Sequence, residues 1–236
     1  MKNIVACAFA LLLFALPLGA EAADILVQDL LAVAGEDAQR VAETKGRYFS
    51  AGGVQVEFRV EERPAGRTMS GGDGVARQAF RFRKPGVYTI TARAAGKTAQ
   101  STAAVVRKGS RIICVDVEGT LFSRPFAGSS IQEARGVIRN MKQKAQVVYL
   151  HTGTIGKEVI RKWLTKNRFP EAPVVDWDAG EVFGSLKTRG ISLKAVIASP
   201  AVLDTVAPEK PQTFSFEDSE GSVTVRSWKE IEKRLK

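Results

Sequence analysis

Two acidic side chains two positions apart, Asp116 and Glu118, are the residues of this sequence with the clearest capacity for chemistry. They follow an apolar, β-branched run over residues 112–115, which has the length and composition of a buried parallel strand. Gly119 and Thr120 come next and predict a turn. Because ligands of open α/β sheets bind at the carboxyl ends of the strands, the two carboxylates are predicted to lie in a ligand-binding crevice.

Two later predicted strands also end in polar clusters. One is followed by His151 and Thr152, and the other by Glu217 and Asp218. Strands that alternate with helices predict a parallel sheet with right-handed crossovers, so the three clusters are predicted to converge at one edge. His151 is the only histidine of the sequence. A metal site built from several histidines is therefore excluded, and so is catalysis in which a histidine nucleophile works with a second histidine.

The amino-terminal segment has the pattern of a secretory signal peptide. Lys2 precedes an apolar run over residues 4–18, and small residues lead to a predicted cleavage site after Ala22. A membrane anchor is the alternative interpretation. Cleavage removes Cys7 and leaves Cys114 alone, so the sequence predicts a periplasmic or secreted protein without an internal disulfide.

The formal net charge of the sequence is +10 at pH 7. Such a charge favours anionic partners, and we expect a phosphorylated small molecule, lipid or macromolecule, with contact to a membrane surface. No nucleic acid is expected, because the basic residues are spread along the chain without interleaved aromatic side chains. The oligomeric state stays open at this stage.

Residues 24–107 have a β pattern throughout. Apolar and polar side chains alternate over residues 54–60, Pro85-Gly86 predicts one of several turns, and further strands are predicted over residues 25–33 and 47–50. Short strands at this spacing predict an antiparallel sandwich. The pattern resembles bacterial immunoglobulin-like domains, which implies either a binding or spacer module or a plain structural appendage.

The predicted secondary structure changes after residue 107, from strands alone to strands that alternate with helices. We therefore predict a signal peptide over residues 1–22, an immunoglobulin-like β-sandwich domain over residues 23–107, and an α/β domain over residues 108–236.

The run DVEGTL at residues 116–121 resembles the first motif of the haloacid dehalogenase (HAD) superfamily, and the resemblance covers about residues 110–236. It implies a C-terminal three-layer α/β domain with a Rossmann-type parallel sheet. It also implies that Asp116 is a nucleophile that forms an aspartyl-phosphate, and that Glu118, where the family usually has Asp, is the general acid/base. The backbone carbonyl of Val117 would be a metal ligand.

The later motifs of the same family are matched more loosely. The resemblance implies that Thr152 or His151 contacts the phosphoryl group, within a run similar to the lipin-type branch. It implies Lys194, with Lys187 as the alternative, for the lysine that steadies the phosphate. The carboxylates of Asp218 and Glu217, together with Asp116 and Val117, would then hold Mg²⁺, an ion that prefers oxygen ligands.

The sequence thus predicts an exported Mg²⁺-dependent phosphatase, a HAD-type phosphohydrolase that acts on phosphomonoesters of lipids or macromolecules. Only ~30 residues separate the first two motifs, which leaves no room for a cap domain over the site. The alternative is a catalytically impaired HAD-like domain that binds phosphate or lipid, because the extra methylene of Glu118 displaces its carboxyl group by about 1–1.5 Å.

Overall fold

The structure, a computed structural model, describes residues 24–122, 128–206 and 211–235. The predicted signal peptide, residues 1–22, lies outside the described residues. Of the described residues, about 42% lie in strands and 26% in helices. The first eight strands form two sheets around one core, and six later strands alternate with five α-helices.

The eight strands of the amino-terminal part form a sandwich of a three-stranded and a five-stranded sheet. Their bounds are β1 Asp24–Val27, β2 Leu30–Val33, β3 Asp37–Lys45, β4 Gln55–Val60, β5 Arg63–Met69, β6 Val75–Arg81, β7 Gly86–Ala94 and β8 Lys97–Val106. The smaller sheet has the order β1-β3-β6, and the larger has the order β2-β8-β7-β4-β5. All neighbours are antiparallel except β2 and β8.

The alternation predicted around β4 is present, because Val56, Phe58 and Val60 point into the core between the sheets. The strand predicted over residues 47–50 is wrong. The chain instead leaves β3 at Lys45 and forms a loop closed by an isolated bridge between Lys45 and Ser50. The inward positions of β3 carry small or polar residues, so its own alternation is hidden in the sequence.

The carboxy-terminal part is built on a six-stranded sheet in which every neighbouring pair is parallel. Its strands are β9 Arg111–Asp116, β10 Gln146–His151, β11 Val174–Asp176, β12 Ser192–Ile197, β13 Gln212–Ser215 and β14 Val223–Thr224. The helices are α1 Gly128–Lys144, α2 Lys157–Lys166, α3 Glu181–Thr188, α4 Pro200–Leu203 and α5 Trp228–Arg234. The strand order is β11-β10-β9-β12-β13-β14, which places β9 inside the sheet.

The two faces of β9 are buried against different layers. Ile113 and Val115 pack with side chains of α1, α2 and α5, whereas Ile112 and Cys114 pack with side chains of β2, β8, α3 and α4. The predicted layer of helices is therefore wrong for this second face, because the sandwich covers part of it. Burial raises the pKa of the Cys114 thiol to about 12, so Cys114 is an unreactive, small apolar side chain of the core.

A buried carboxylate ties the sandwich to the parallel sheet. Asp29 lies between β1 and β2, and its side chain is only 3% exposed. It accepts hydrogen bonds from the backbone N–H of Thr102 on β8 (2.7 Å) and of Val174 on β11 (2.7 Å). Arg161 of α2 completes the set with an ion pair at 2.9 Å. One side chain thus joins four elements from the two parts of the chain.

Candidate functional site

The carboxyl ends of three neighbouring strands bring most of the predicted site residues together. Asp116 ends β9, His151 ends β10, and Ser199 follows β12. We call Asp116, Glu118, His151, Thr152 and Ser199 the strand-end cluster. The convergence of Asp116 and Glu118 with His151 and Thr152 is the juxtaposition that the sequence predicts.

The carboxylate of Asp116 is fully buried and already has internal partners on both oxygens. Oδ1 accepts the backbone N–H of Gly119 at 2.8 Å. Oδ2 accepts both the hydroxyl of Ser199 at 2.8 Å and its backbone N–H at 3.1 Å. The Thr120 hydroxyl donates to the Asp116 carbonyl. Asp116 therefore pins the turn after β9 to the start of α4, and neither of its oxygens faces open space.

Gly119 is required by the close approach of this turn to Asp116. A Cβ atom built on Gly119 would lie 2.3 Å from Oδ2 of Asp116 and 2.7 Å from Cβ of Ser199. Both distances are shorter than any van der Waals contact, so a larger residue would push these groups apart. The Gly-Thr pair that follows the two acids thus serves packing around Asp116.

The side chain of Glu118 binds the loop that follows β10. Its Oε2 accepts the Thr152 hydroxyl at 2.6 Å and also the Thr152 backbone N–H, and its Oε1 accepts the Ile155 backbone N–H at 2.7 Å. Two backbone amides and a hydroxyl that converge on one carboxylate form the kind of nest that binds anions. Here the anion is a side chain of the same protein, so Thr152 has no spare donor for a phosphoryl oxygen.

The pKa of Glu118 is lower than the ordinary value for this residue type. Burial raises the pKa, but the hydrogen bonds from the Thr152 hydroxyl, from the two loop amides and the charge of His151 together lower it by more. The carboxylate is therefore ionised at neutral pH and held in place. A general acid needs the opposite, a raised pKa and a free proton.

His151 is also held on both ring nitrogens. Nδ1 lies 2.8 Å from the carboxylate of Asp176, and Nε2 lies 2.7 Å from the carbonyl oxygen of Ile155. Lys157 contacts the other oxygen of Asp176 at 2.6 Å. Burial raises the pKa of Asp176, yet the hydrogen bonds and charges of Lys157 and His151 leave it below its usual value. This ion-paired group fastens β10 and β11 to the start of α2.

The predicted metal ligands do not form a metal site. Glu217 and Asp218 are exposed after β13, and the Glu217 backbone N–H donates to the Ser215 hydroxyl at 3.1 Å. The Val117 side chain is buried in the core. Within residues 24–122, 128–206 and 211–235, no three His, Cys, Asp or Glu side chains are placed to hold an ion. Since Asp116 is also satisfied internally, these residues do not fit Mg²⁺.

The predicted catalytic lysines lie at the opposite edge of the sheet. Lys194 is near the start of β12, at a bulge between Leu193 and Ala195, and a strand start in a parallel sheet is at the amino edge. Lys187 is exposed in the last turn of α3, three residues before Gly190, which bonds to Gly109 ahead of β9. The structure thus places both lysines at the amino edge and does not bring either of them into the strand-end cluster.

A different site lies at the amino edge, where the sandwich meets the parallel sheet. A groove of about 630 Å³ is lined by four basic residues, and its remaining lining residues are apolar or uncharged. We call it the amino-end groove and define it by those basic residues: Arg107, Arg111, Lys144 and Lys194. Its volume is within the usual range for ligand pockets. Each of the four residues lies within or near the start of a strand of the sheet, or in the link from β8 to β9.

The four cations of the groove differ from several arginines of the sandwich, which are paired with acids. Arg81 forms a two-point pair with Asp37 (2.9 and 3.0 Å), and Arg59 and Arg67 both pair with Glu57. By contrast, in the part of the chain that the structure describes, no ion pair involves Arg107, Arg111, Lys144 or Lys194. No acidic side chain of the described residues therefore neutralises the positive charge of the groove.

Comparisons with known proteins give only partial likenesses. No family model matches the chain, and no curated protein matches it. A putative membrane anchored protein from Corynebacterium diphtheriae is 22% identical over 39% of this chain and 22% of its own, with a TM-score of 0.33. The D00-D0 domain of intimin is 23% identical over 34% of this chain and 43% of its own, with a TM-score of 0.28.

Invasin, described as a bacterial integrin-binding protein, is a further similar structure, with 19% identity over 37% of this chain and 19% of its own and a TM-score of 0.31. The chain thus spans less than half the length of each of these three proteins. The β-sandwich predicted for the amino-terminal part is present in the two sheets formed by β1–β8.

None of these similar structures is a haloacid dehalogenase hydrolase. The predicted membership of that superfamily is therefore wrong, and so are the HAD-like fold class and the phosphohydrolase activity that depended on it. The geometry gives the physical reason, because the carboxylates of Asp116 and Glu118 accept hydrogen bonds from other groups of the protein.

None of the helices within the described residues is long and apolar enough to cross a membrane.

Proposed function

We propose that this chain is an exported, non-catalytic protein that binds a phosphate-bearing partner in the amino-end groove. The observation that carries the proposal is the contrast between the two edges of the parallel sheet. At the carboxyl edge the acids and the loop donors satisfy each other, whereas at the amino edge four cations line a groove that contains no acid.

The absence of catalysis follows from the state of the strand-end cluster. A nucleophile must have an oxygen free to attack, and Asp116 has three donors on its carboxylate. An acid/base must exchange its proton, and Glu118 is ionised and enclosed by Thr152 and Ile155. Freeing either group would require breaking two or more charge-assisted hydrogen bonds, each worth about 1.5–3 kcal/mol.

The chemistry of the groove favours phosphate groups. Arg107 and Arg111 offer planar guanidinium groups, which bind phosphate through paired N–H···O bonds, and Lys144 and Lys194 add two point charges. A phosphate monoester carries about −1.5 to −2 charges at neutral pH. The four cations therefore match a ligand with about two phosphate groups, such as a diphosphate or a segment of a phosphorylated polymer or lipid headgroup.

The finer location belongs to the same proposal. The signal-peptide pattern of residues 1–22 supports export to the periplasm with cleavage after Ala22. Phosphorylated lipids and polymers at the cell surface would meet the groove there.

The direct test is calorimetric titration of the mature protein, residues 23–236, with inorganic pyrophosphate. We expect binding that weakens as salt is added, because the contacts are electrostatic. The double substitution Arg111→Ala and Lys194→Ala should lower the affinity by about tenfold or more, since each charge-assisted bond is worth 1.5 kcal/mol or more.

The matched control removes the same charge from the sandwich. Arg67→Ala with Arg77→Ala deletes two exposed arginines that are paired with Glu57 and Asp73, and it should leave pyrophosphate binding unchanged. Equal losses in the two double variants would show that only net charge matters and would contradict the groove. Hydrolysis of a phosphomonoester by wild type that Asp116→Asn abolishes would contradict the non-catalytic assignment.

A further inference from the structure

Two aromatic side chains stand out from the sandwich in the loop after β3. Tyr48 is 76% exposed and Phe49 is 84% exposed, the two highest values among the large hydrophobic residues that the structure describes as exposed. Single exposed apolar residues are common on soluble proteins, but two adjacent aromatic rings at a loop end present a continuous apolar surface to water. We call residues 46–49 the aromatic tip.

The base of the aromatic tip is held by backbone bonds. The N–H of Gly46 donates to the carbonyl of Phe49 at 2.8 Å, and Lys45 and Ser50 form a bridge below it. One residue further down, the N–H of Ala51 donates to the carbonyl of Thr44 at 2.8 Å. The rings are therefore exposed because a closed turn carries them outward.

Two basic residues lie close to the aromatic tip. The guanidinium of Arg47 lies 5.3 Å from the centre of the Tyr48 ring, and Lys45 at the base is half exposed and pairs with Glu43 at 3.4 Å. An arrangement of aromatic rings at the end and cations behind them matches the lipid–water boundary. There, aromatic rings lie at the level of the headgroups, and each basic residue gains attraction to anionic lipid.

We propose that the aromatic tip inserts Tyr48 and Phe49 into the headgroup region of an anionic lipid bilayer, with Arg47 and Lys45 against the phosphates. A bilayer is favoured over a protein partner because the exposed apolar surface is limited to the two rings of one turn. A stable protein interface needs about 1,000 Å² or more of complementary surface, which two rings at a turn do not supply. A lipid bilayer, in contrast, can take up two aromatic rings between its headgroups.

The aromatic tip is separate from the amino-end groove. The tip follows the end of β3, whereas the start of β3 lies near Phe82, three residues before the groove-lining residue Pro85. Nine strand residues span about 30 Å, so the two sites lie at opposite ends of the sandwich. Membrane insertion and anion binding can therefore succeed or fail independently.

The test is co-sedimentation of the mature protein with vesicles of phosphatidylcholine alone or mixed with phosphatidylglycerol. We expect wild type to bind the mixed vesicles, and Tyr48→Ser with Phe49→Ser to reduce binding by about tenfold or more. The control Val223→Ser removes another exposed apolar side chain, on β14 of the parallel sheet, and should bind like wild type. The groove variant Arg111→Ala with Lys194→Ala should retain the insertion.

A second variant gives a readout that does not depend on loss of binding. Phe49→Trp keeps an aromatic ring at the tip, and its fluorescence should shift to the blue with the mixed vesicles and not with phosphatidylcholine alone. Wild type that ignores mixed vesicles, a serine variant that binds like wild type, or an unshifted tryptophan spectrum would each overturn the proposal. Retention of wild type by an immobilised protein partner, with no affinity for vesicles, would also overturn it.

Discussion

The carboxyl and amino edges of one parallel sheet carry polar residues in two different states. At the carboxyl edge, Asp116 and Glu118 accept six hydrogen bonds between them, all from the protein itself. At the amino edge, Arg111 and Lys194 line an open groove without an acidic partner. The same sheet thus uses its buried acids to lock loops together and leaves its cations available.

This difference shows that the position of a polar residue is a weaker guide to function than its spare hydrogen-bonding capacity. Chemically capable residues do collect at strand ends, as general rules predict. A binding site must also leave donors or acceptors free for a ligand. At the carboxyl edge, the donors of the loop after β10 are already bonded to the Glu118 carboxylate. We therefore expect perturbations at the two edges to have different consequences, in stability at one edge and in binding at the other.

The largest effect on stability is expected for Gly119→Ala. The new Cβ would lie 2.3 Å from Asp116, so the buried carboxylate must move away from its donors. We expect the free energy of unfolding in urea to fall by about 3 kcal/mol. Gly136→Ala in α1, where a Cβ meets nothing within 4 Å, is the matched control and should raise stability by about 0.5–1 kcal/mol.

A Gly119→Ala protein as stable as wild type would show that Asp116 can move freely. The carboxyl edge would then be an open site, and the contrast with the groove would be lost.

A smaller effect, which depends on pH, is expected for Glu118→Gln. The folded protein lowers the pKa of Glu118, so its contribution is fully present above the ordinary glutamate pKa and is lost as the pH falls through the folded value. At pH 7 we expect the variant to lose about 2 kcal/mol of unfolding free energy, because an amide replaces a charged acceptor of three bonds.

Thermal or urea unfolding across the acidic range measures this prediction. Wild type should lose stability from about pH 5 downward more steeply than Glu118→Gln, so that the two curves converge at low pH. Glu217→Gln, which alters an exposed carboxylate after β13, should follow the wild-type curve. Parallel curves for wild type and Glu118→Gln would indicate that the Glu118 carboxylate is not held as described.

Local patterns predicted much of the secondary structure. The strand predicted over residues 112–115 is β9, which spans Arg111–Asp116. The strand predicted over residues 47–50 failed because its aromatic and polar residues lie in a loop between glycines, while β3 before it has few large apolar residues. Packing of the sandwich against the parallel sheet depends on contacts distant in sequence and left no local signal.

The candidate site was predicted only in part. The sequence pattern correctly predicted that Asp116, Glu118 and Thr152 lie at one edge of the sheet. It could not show that Glu118 binds the loop that contains Thr152, because this contact joins residues 34 positions apart. Lys194 was assigned to the wrong edge although a signal was present. It opens a strand, and a residue that opens a parallel strand lies at the amino edge.

The central claim is that an anion binds at the amino edge of the sheet and not at the carboxyl edge. Titration of isotope-labelled mature protein with pyrophosphate, followed by the shifts of backbone amide signals in NMR spectra, tests it without any substitution. We predict that the largest shifts fall on Ser110, Arg111 and Lys194 and that Gly119 and Thr152 stay unchanged. The largest shifts at Gly119, Thr152 and Ser199, with a silent groove, would contradict the account.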